Sequence, residues 1–364
     1  MKKEVVRVWK SRSGITLVEL LVTLAVAMLL GTGIYQVFAG TVRSYSTNEA
    51  LARLQEDGRM ALAFLRSEIQ GAGYLGCLSD PDTVESGLNN PDFFAVNFTR
   101  GIYGLEASAE NTWRDSAGEV SPTATGLNAM ALDPPPLTGS DILVIRGMLP
   151  IGQPMTLTGS MDSDGNFTVD SLPEGLLQED GGDILMVADC HTAVIFQTTS
   201  CSDTGVIARG PTSDLVPGNA SVPLAGGFST GAEVFVPQTQ IFYVANDPIT
   251  NIPSLFSMSR PTRSLADLVI SGVDNFQVRY GVDTNGDGMV NGYVNANAVT
   301  DWGRVLSVRF GLLLRTPLIS DPNAPADAGT YDVSGNGATD FTAPGDRRMR
   351  MVFSGTVGLR NRIR

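Results

Sequence analysis

The amino-acid sequence predicts an α+β protein in which one long N-terminal helix is followed by an antiparallel β-rich globular domain. An apolar run near the N-terminus continues into a segment with helical spacing, which predicts the helix. Short apolar segments rich in β-branched residues recur after residue 141, which predicts the strands. The chain of 364 residues has 40 glycines and 20 prolines and is 17% charged, a composition that favours strands and loops over a helical bundle.

The apolar run covers residues 15–39, and Glu19 is its only charged residue. As a helix these residues would measure roughly 37 Å, enough to cross a hydrocarbon layer of about 30 Å with some tilt. Five Lys and Arg residues lie within residues 1–14, and such a basic flank stays on the cytoplasmic side. The sequence therefore predicts a single membrane span, with the residues after about 40 outside the cytoplasm.

Helical spacing continues beyond the apolar run. Apolar or small residues recur three and four positions apart at Leu51, Leu54, Gly58, Leu62, Leu65, Ile69 and Ala72. Gly71, Gly73 and Gly76 then favour a helix end. We therefore predict one helix from about residue 15 to 73, with residues 15–39 as a transmembrane and assembly segment and residues 40–76 as an amphipathic continuation. Residues 77–364 are predicted to form the extracytoplasmic domain.

The predicted strands of that domain lie mainly in its second half. They cover residues 141–146, 183–188, 193–197, 233–236, 240–245, 273–280, 305–315 and 349–359. In 305–315, Leu306, Val308 and Phe310 alternate with Ser307 and Arg309, which predicts a half-buried antiparallel strand. Residues 78–140 have a loop-like composition. Because long loops without secondary structure are uncommon in compact domains, we expect this segment to form short strands or to pack as a loop across the surface of the sheet.

The start of the apolar run resembles the prepilin signal of type IV pilins, in which a basic leader and a glycine precede an apolar helix with an early glutamate. The resemblance implies that a prepilin peptidase cuts between Gly14 and Ile15, removing residues 1–14, and that the new N-terminus at Ile15 is N-methylated. A carboxylate is costly in lipid, so Glu19 needs a partner. The resemblance implies that this partner is the Ile15 amine of a neighbouring subunit. A plain signal anchor or signal peptide is the alternative, although the apolar run is longer than the about 7–15 residues typical of a signal peptide.

Five further segments resemble the PilW family of minor pilins, namely residues 49–59, 71–77, 188–196, 268–283 and 350–361. The resemblance implies a minor pilin that takes part in priming type IV pilus assembly, at or near the tip. Its partners would be other minor pilins, the major pilin, the prepilin peptidase and methylase, and inner-membrane lipid. It would reside in the inner membrane with its domain in the periplasm, and then in the cell-surface pilus.

Two alternatives remain open at this point. A pseudopilin of a type II secretion or competence system would have a similar N-terminus. A membrane-tethered, calcium-binding adhesin would differ in class, with residues 78–140 available for contact with a surface.

Enzymatic and nucleic-acid functions are disfavoured. The chain has one histidine, His191, and lacks the H-E-x-x-H and P-loop patterns, so no catalytic constellation is evident. Its formal charge of −13 disfavours nucleic-acid binding, which depends on Lys and Arg contacts to phosphates.

Of the three cysteines, Cys190 and Cys201 flank a predicted hairpin outside the membrane, where disulfides persist. We predict that these two form a disulfide, which would close a loop of about 12 residues and stabilise the fold by about 2–3 kcal/mol. The sequence leaves the pairing open, because Cys77 could replace either partner.

One segment resembles a calcium loop. Asp283, Asn285 and Asp287 alternate before a glycine-containing turn, and the Met289 carbonyl and Asn291 follow at the next ligand spacings. The twelfth position is Val294, where an EF-hand requires a bidentate glutamate. We therefore predict a structural calcium site rather than a full EF-hand, with an ordinary Gly/Asn/Asp turn as the alternative.

Overall fold

A computed structural model describes residues 14–78, 83–108, 111–149, 155–172, 177, 180–202, 204–210, 215–220, 227–260, 266–317 and 325–361. The predicted leader lies outside the described residues except for Gly14. The division of the chain into leader, membrane segment and domain stays a prediction.

One helix, α1 (Leu17–Gly71), contains 55 residues and measures about 82 Å. Thr16 caps its N-terminus, because the Thr16 hydroxyl oxygen accepts a hydrogen bond from the Glu19 amide at 3.3 Å. Beyond its C-terminus Gly73 has a φ of 70°, in the left-handed region that glycine tolerates best. The prediction of one continuous helix from about residue 15 to 73 is confirmed.

The described residues form twenty strands. In chain order they are β1 (Val84–Ser86), β2 (Ile102–Ala107), β3 (Trp113–Asp115), β4 (Gly118–Val120), β5 (Ile142–Leu149), β6 (Met155–Thr156), β7 (Phe167–Thr168), β8 (Ile184–Ala188), β9 (Ala193–Gln197), β10 (Ser200–Cys201), β11 (Val206–Ala208), β12 (Glu233–Asn246), β13 (Pro253–Arg260), β14 (Ala266–Ser271), β15 (Val273–Val282), β16 (Gly292–Val294), β17 (Val305–Arg315), β18 (Thr330–Tyr331), β19 (Phe341–Thr342) and β20 (Arg350–Gly358).

The largest sheet is built around β12. Its order is β1-β9-β8-β12-β5-β2-β3-β4, and β6, β13 and β14 join through β12 and β13. The pairs are antiparallel except for β1 with β9, which is parallel. A second sheet has the order β16-β15-β17-β20, and smaller sheets join β10-β11-β7 and β18-β19. The predicted α+β class, with a long helix before an antiparallel β-rich domain, is confirmed.

The second half of α1 packs across both large sheets. Leu54, Ala61, Leu65 and Ile69 are buried in the same apolar core as residues of β5, β12, β15 and β17. The Phe64 ring meets the Phe242 ring of β12 edge-to-face at 5.9 Å. These contacts attach the domain to the helix.

Strand β12 differs from the prediction, which placed two strands at residues 233–236 and 240–245. The structure joins them across Pro237, which pairs with Met148 of β5. On the other side, pairing with β8 ends at Phe235 and pairing with β13 begins at Thr239, so Pro237 has no strand opposite it there. A proline is tolerated where a strand needs no second partner, and the strand therefore continues.

Candidate functional site

The first half of α1 is exposed along its whole length. Ile15, Leu17 and Leu29 are each more than 70% exposed, and the apolar residues between them are exposed as well. Among the described residues, α1 is the one helix that is long and apolar enough to cross a membrane. An uncovered apolar surface of this length requires lipid or other proteins around it.

Glu19 lies in the first turn of this exposed half. Its carboxylate oxygen Oε2 lies 3.5 Å from the Thr16 hydroxyl, and both side chains are exposed. A carboxylate in the first turn also interacts favourably with the helix dipole. Thus local contacts orient Glu19, but within the described residues no cation pairs with it.

The predicted cleavage junction lies just before this helix. Gly14, Ile15 and Thr16 are exposed and non-helical, and α1 begins at Leu17. The peptide bond between Gly14 and Ile15 is therefore in accessible, non-helical chain.

The predicted disulfide between Cys190 and Cys201 is wrong, because the structure joins Cys190 to Cys77, with a Cα–Cα distance of 5.0 Å. Cys190 lies in the turn before β9, whereas Cys201 lies beyond the other end of that strand. A five-residue strand separates them by about 17 Å, too far for a disulfide. Cys201 is instead buried in the apolar cluster that contains Phe167 and Phe196.

The disulfide that does form links the segment after α1 to the β8–β9 turn, 113 residues further along the chain. It therefore fixes the end of the helix to the large sheet. The neighbouring His191 has a side chain that is 92% exposed and lies next to Asp189, consistent with a surface turn.

The predicted calcium ligands lie together in the loop after β15. The two Asp283 carboxylate oxygens accept hydrogen bonds from the amides of Gly286 at 2.6 Å and Gly288 at 2.8 Å. These bonds hold the pKa of Asp283 below its ordinary value. Asp287 accepts from the Met289 amide at 2.9 Å.

The remaining predicted ligands are also engaged. Asn285 donates to Asp287 at 3.0 Å, and the Asn291 side-chain oxygen accepts from the Thr284 amide at 2.7 Å. The loop is thus closed by its own hydrogen bonds. It supplies two carboxylates, and among the described residues no group of three His, Cys, Asp or Glu could hold a metal ion. These residues fit a hydrogen-bonded turn better than a complete cation site, and calcium binding stays a prediction.

Sequence reasoning did not find the buried charged groups of the domain. The Arg350 side chain is fully buried among Asp274, Asp327 and Asp346. Arg146 is 3% exposed, and Asp141 is 2% exposed. A charged residue within a strand pattern is a weak signal of burial, because the same letters occur on solvent-facing positions.

Comparison with known proteins assigns the class. Residues 9–35 match the family model described as the prokaryotic N-terminal methylation motif. Together with the exposed apolar helix and the β-rich domain that follows it, this match supports a pilin. The motif implies processing by a prepilin peptidase and assembly with other pilins, and the apolar helix indicates membrane anchoring.

Residues 241–361, from within β12 to the end of the described chain, match the family model described as type IV pilus-assembly protein W. Together with the methylation motif, this match supports a PilW-type pilin with a minor pilin role in type IV pilus assembly. The PilW resemblance of the sequence is thereby confirmed. This family and its fold are structural rather than enzymatic.

A solved structure of a type IV-like pilin from Thermus thermophilus also matches, with 16% identity and a TM-score of 0.23, covering 50% of this chain and 86% of that chain. No curated protein matches the chain.

Proposed function

We propose that this minor pilin helps to prime pilus assembly at or near the pilus tip, after cleavage between Gly14 and Ile15. The observation that supports this most strongly is the contrast along α1. Residues 54–69 of the helix bury one face against the domain, whereas residues 17–38 are exposed and have Glu19 as their only charged side chain. Such a helix presents an apolar surface with one polar contact point to neighbouring helices.

Glu19 acts in this proposal as the residue that sets the axial position of the subunit. Cleavage creates a cationic amine at Ile15, which is then N-methylated and keeps its charge. In a helical bundle without water, pairing this amine with the Glu19 carboxylate of a neighbouring subunit offsets the cost of burying both charges. Because one carboxylate serves one amine, the pairing selects a single stagger between adjacent helices.

The proposed location follows from the same helix. Before assembly the subunit resides in the inner membrane, with the apolar first part of α1 inserted and the domain in the periplasm. The prepilin peptidase and methylase process it there. Other minor pilins and the major pilin then contact the exposed half of α1, and the subunit leaves the membrane in the pilus.

The test substitutes Glu19 by valine in a deletion strain that is complemented with the full chain. We expect normal membrane insertion, measured by fractionation, together with a loss of most surface pili and of twitching. The matched control is Glu49→Val, which removes an exposed carboxylate from the same helix outside the apolar run. Normal piliation with Glu19→Val would contradict the proposal, and normal piliation with lost protein secretion would indicate a pseudopilin instead.

A further inference from the structure

Arg146 of β5 lies on the face of the large sheet that points away from α1. Paired residues of adjacent strands share a face, so Arg146 lies on the same side as Thr239 of β12. The Thr239 hydroxyl donates a hydrogen bond to the Ala95 carbonyl at 3.2 Å. The short 3-10 turn around Ala95 therefore covers this face, and Arg146 is enclosed between the turn and the sheet.

The guanidinium of Arg146 is buried without an anionic partner. It donates to the carbonyls of Arg100 at 3.3 Å and Phe94 at 3.0 Å, while its Nε has no partner. A guanidinium has five N–H donors, so the two hydrogen bonds to neutral oxygens leave three unused. In the described part of the chain no Asp or Glu forms an ion pair with Arg146.

Two aromatic rings stabilise this cation through cation–π contacts, whereas the neighbouring Arg100 adds a second positive charge. The guanidinium carbon lies 4.9 Å from the centre of the Phe94 ring and 5.8 Å from that of Tyr103. Burial, with a smaller contribution from the neighbouring Arg100, lowers the pKa of Arg146 to about 10. The group thus stays charged at neutral pH. The Tyr103 hydroxyl is already used, because it donates to Asp115 at 2.8 Å.

A cavity of about 210 Å³ opens beside this guanidinium. We call it the Arg146 cavity, and its polar lining includes Arg100, Asn97 and Asn128. The Asn97 side-chain oxygen accepts from Thr99 at 2.7 Å, which leaves its amide nitrogen for another contact. Asp92 is the one carboxylate in the lining, and its side chain is at the exposed rim.

We propose that the Arg146 cavity binds a small oxyanion, a phosphate or carboxylate group, with Arg146 and Arg100 as the cationic contacts. A buried cation without a counter-charge is costly, and an oxyanion would compensate it through charge-assisted hydrogen bonds. The aromatic rings of Phe94 and Tyr103 would enclose the less polar part of the ligand. This site lies on the opposite face of the sheet from α1 and does not depend on the proposed assembly role.

The test uses the full chain in detergent micelles at constant ionic strength. Inorganic phosphate and succinate are titrated in separate experiments by calorimetry. The emission of Trp302 gives a second readout, because its ring lies 5.1 Å from that of Tyr103. We expect saturable binding of at least one anion, and the preferred anion identifies the chemical source of the natural ligand.

Two variants and a control distinguish anion binding at the Arg146 cavity from a general effect of the protein's overall charge. Arg146→Lys and Arg100→Gln should each weaken binding at least about tenfold, the effect of losing one hydrogen bond to a charged group. Arg114→Gln removes the same charge from an exposed position outside the cavity and should leave binding unchanged. Because Arg100 is exposed, its variant is informative even if Arg146→Lys does not fold. Failure of both anions to bind the native chain, or equal weakening by Arg114→Gln, would overturn the proposal.

Discussion

Arg350 and Arg146 are both buried arginines, but their surroundings differ. The Arg350 side chain contacts Asp274 at 2.7 Å, Asp327 at 3.0 Å and Asp346 at 2.7 Å. Arg146 contacts two backbone carbonyls and two aromatic rings. One arginine is thus surrounded by carboxylates of the protein, and the other lies beside a cavity.

The difference separates a structural role from a binding role. Asp274 lies in β15, whereas Asp327 and Asp346 belong to the connection between β17 and β20, so Arg350 joins that connection to the sheet. Hydrogen bonds from Arg350 hold the pKa of Asp346 below its ordinary value, which keeps the cluster charged. Full compensation of Arg350 by three carboxylates indicates that the Arg350 cluster stabilises the fold, whereas incomplete compensation of Arg146 is what the proposed ligand site rests on.

Removing the central charge of the Arg350 cluster should have the largest effect. We expect Arg350→Met to lower the free energy of unfolding by about 3–5 kcal/mol, because three buried or partly buried carboxylates lose their shared partner. Urea unfolding of the detergent-solubilised chain measures this.

Arg53→Met is the matched control for Arg350→Met, since it breaks an exposed ion pair with Glu49 and should change the free energy of unfolding by less than about 0.5 kcal/mol. Similar small effects of both changes would show that the Arg350 cluster contributes little to stability.

Glu106 and Asp141 present the opposite case. Asp141 is buried and Glu106 half-buried, and neither carboxyl group forms an ion pair within the described part of the chain. Burial raises the pKa of Glu106 to about 7, against opposing hydrogen bonds from Ala296 and Asn295, and burial raises that of Asp141 as well. The ordinary pKa of Glu106 is 4.5, so between that value and about 7 the folded state binds more protons than the unfolded state. Stability from this group is therefore present at low pH and is lost as the pH rises through about 7.

Glu106→Gln should remove most of this pH dependence. Glutamine resembles the protonated carboxyl, so we expect the variant to exceed the native chain in stability by about 1–3 kcal/mol at pH 8 and to equal it near pH 4.5. Thermal or urea unfolding across this range measures the difference, with Glu119→Gln as an exposed control. A native stability that rises between pH 5 and 8 by an amount that Glu106→Gln does not alter would contradict the assignment.

In the Asp283 loop, backbone amides rather than an arginine stabilise the negative charge of the carboxylate. Adding calcium tests whether a cation also binds to this loop. If the predicted site forms, calcium should raise the melting temperature of the native chain by at least about 2 °C. Asp287→Ala should abolish this shift. Asp164→Ala, in the similar turn at Asp162, should preserve it. No shift in the native chain would leave the loop as a turn closed by its own hydrogen bonds.

The local spacing of apolar residues was enough to predict the helix and the strands that are strongly apolar and regular. Strand β17 has the predicted bounds, and α1 agrees within two residues at each end. Strands β13 and β14 were not predicted, although both join the large sheet. β13 begins at a proline, which disfavours a strand, and β14 is largely exposed, so it lacks a row of buried apolar residues. Tertiary pairing with β12 stabilises β13, and β13 in turn pairs with β14.

The sequence by itself was enough to predict the membrane segment, the Gly14–Ile15 junction and the isolated position of Glu19, because each depends on a short stretch of consecutive residues. Only the tertiary structure decided that Cys190 pairs with Cys77, that Arg350 is compensated and that Arg146 is not. It also explains Gly58, where a side chain would overlap the ring of Phe353 in β20. Except for Asp346, which is four residues from Arg350, the deciding partners are far apart in sequence, and only the packing of α1 and the sheets determines whether they meet.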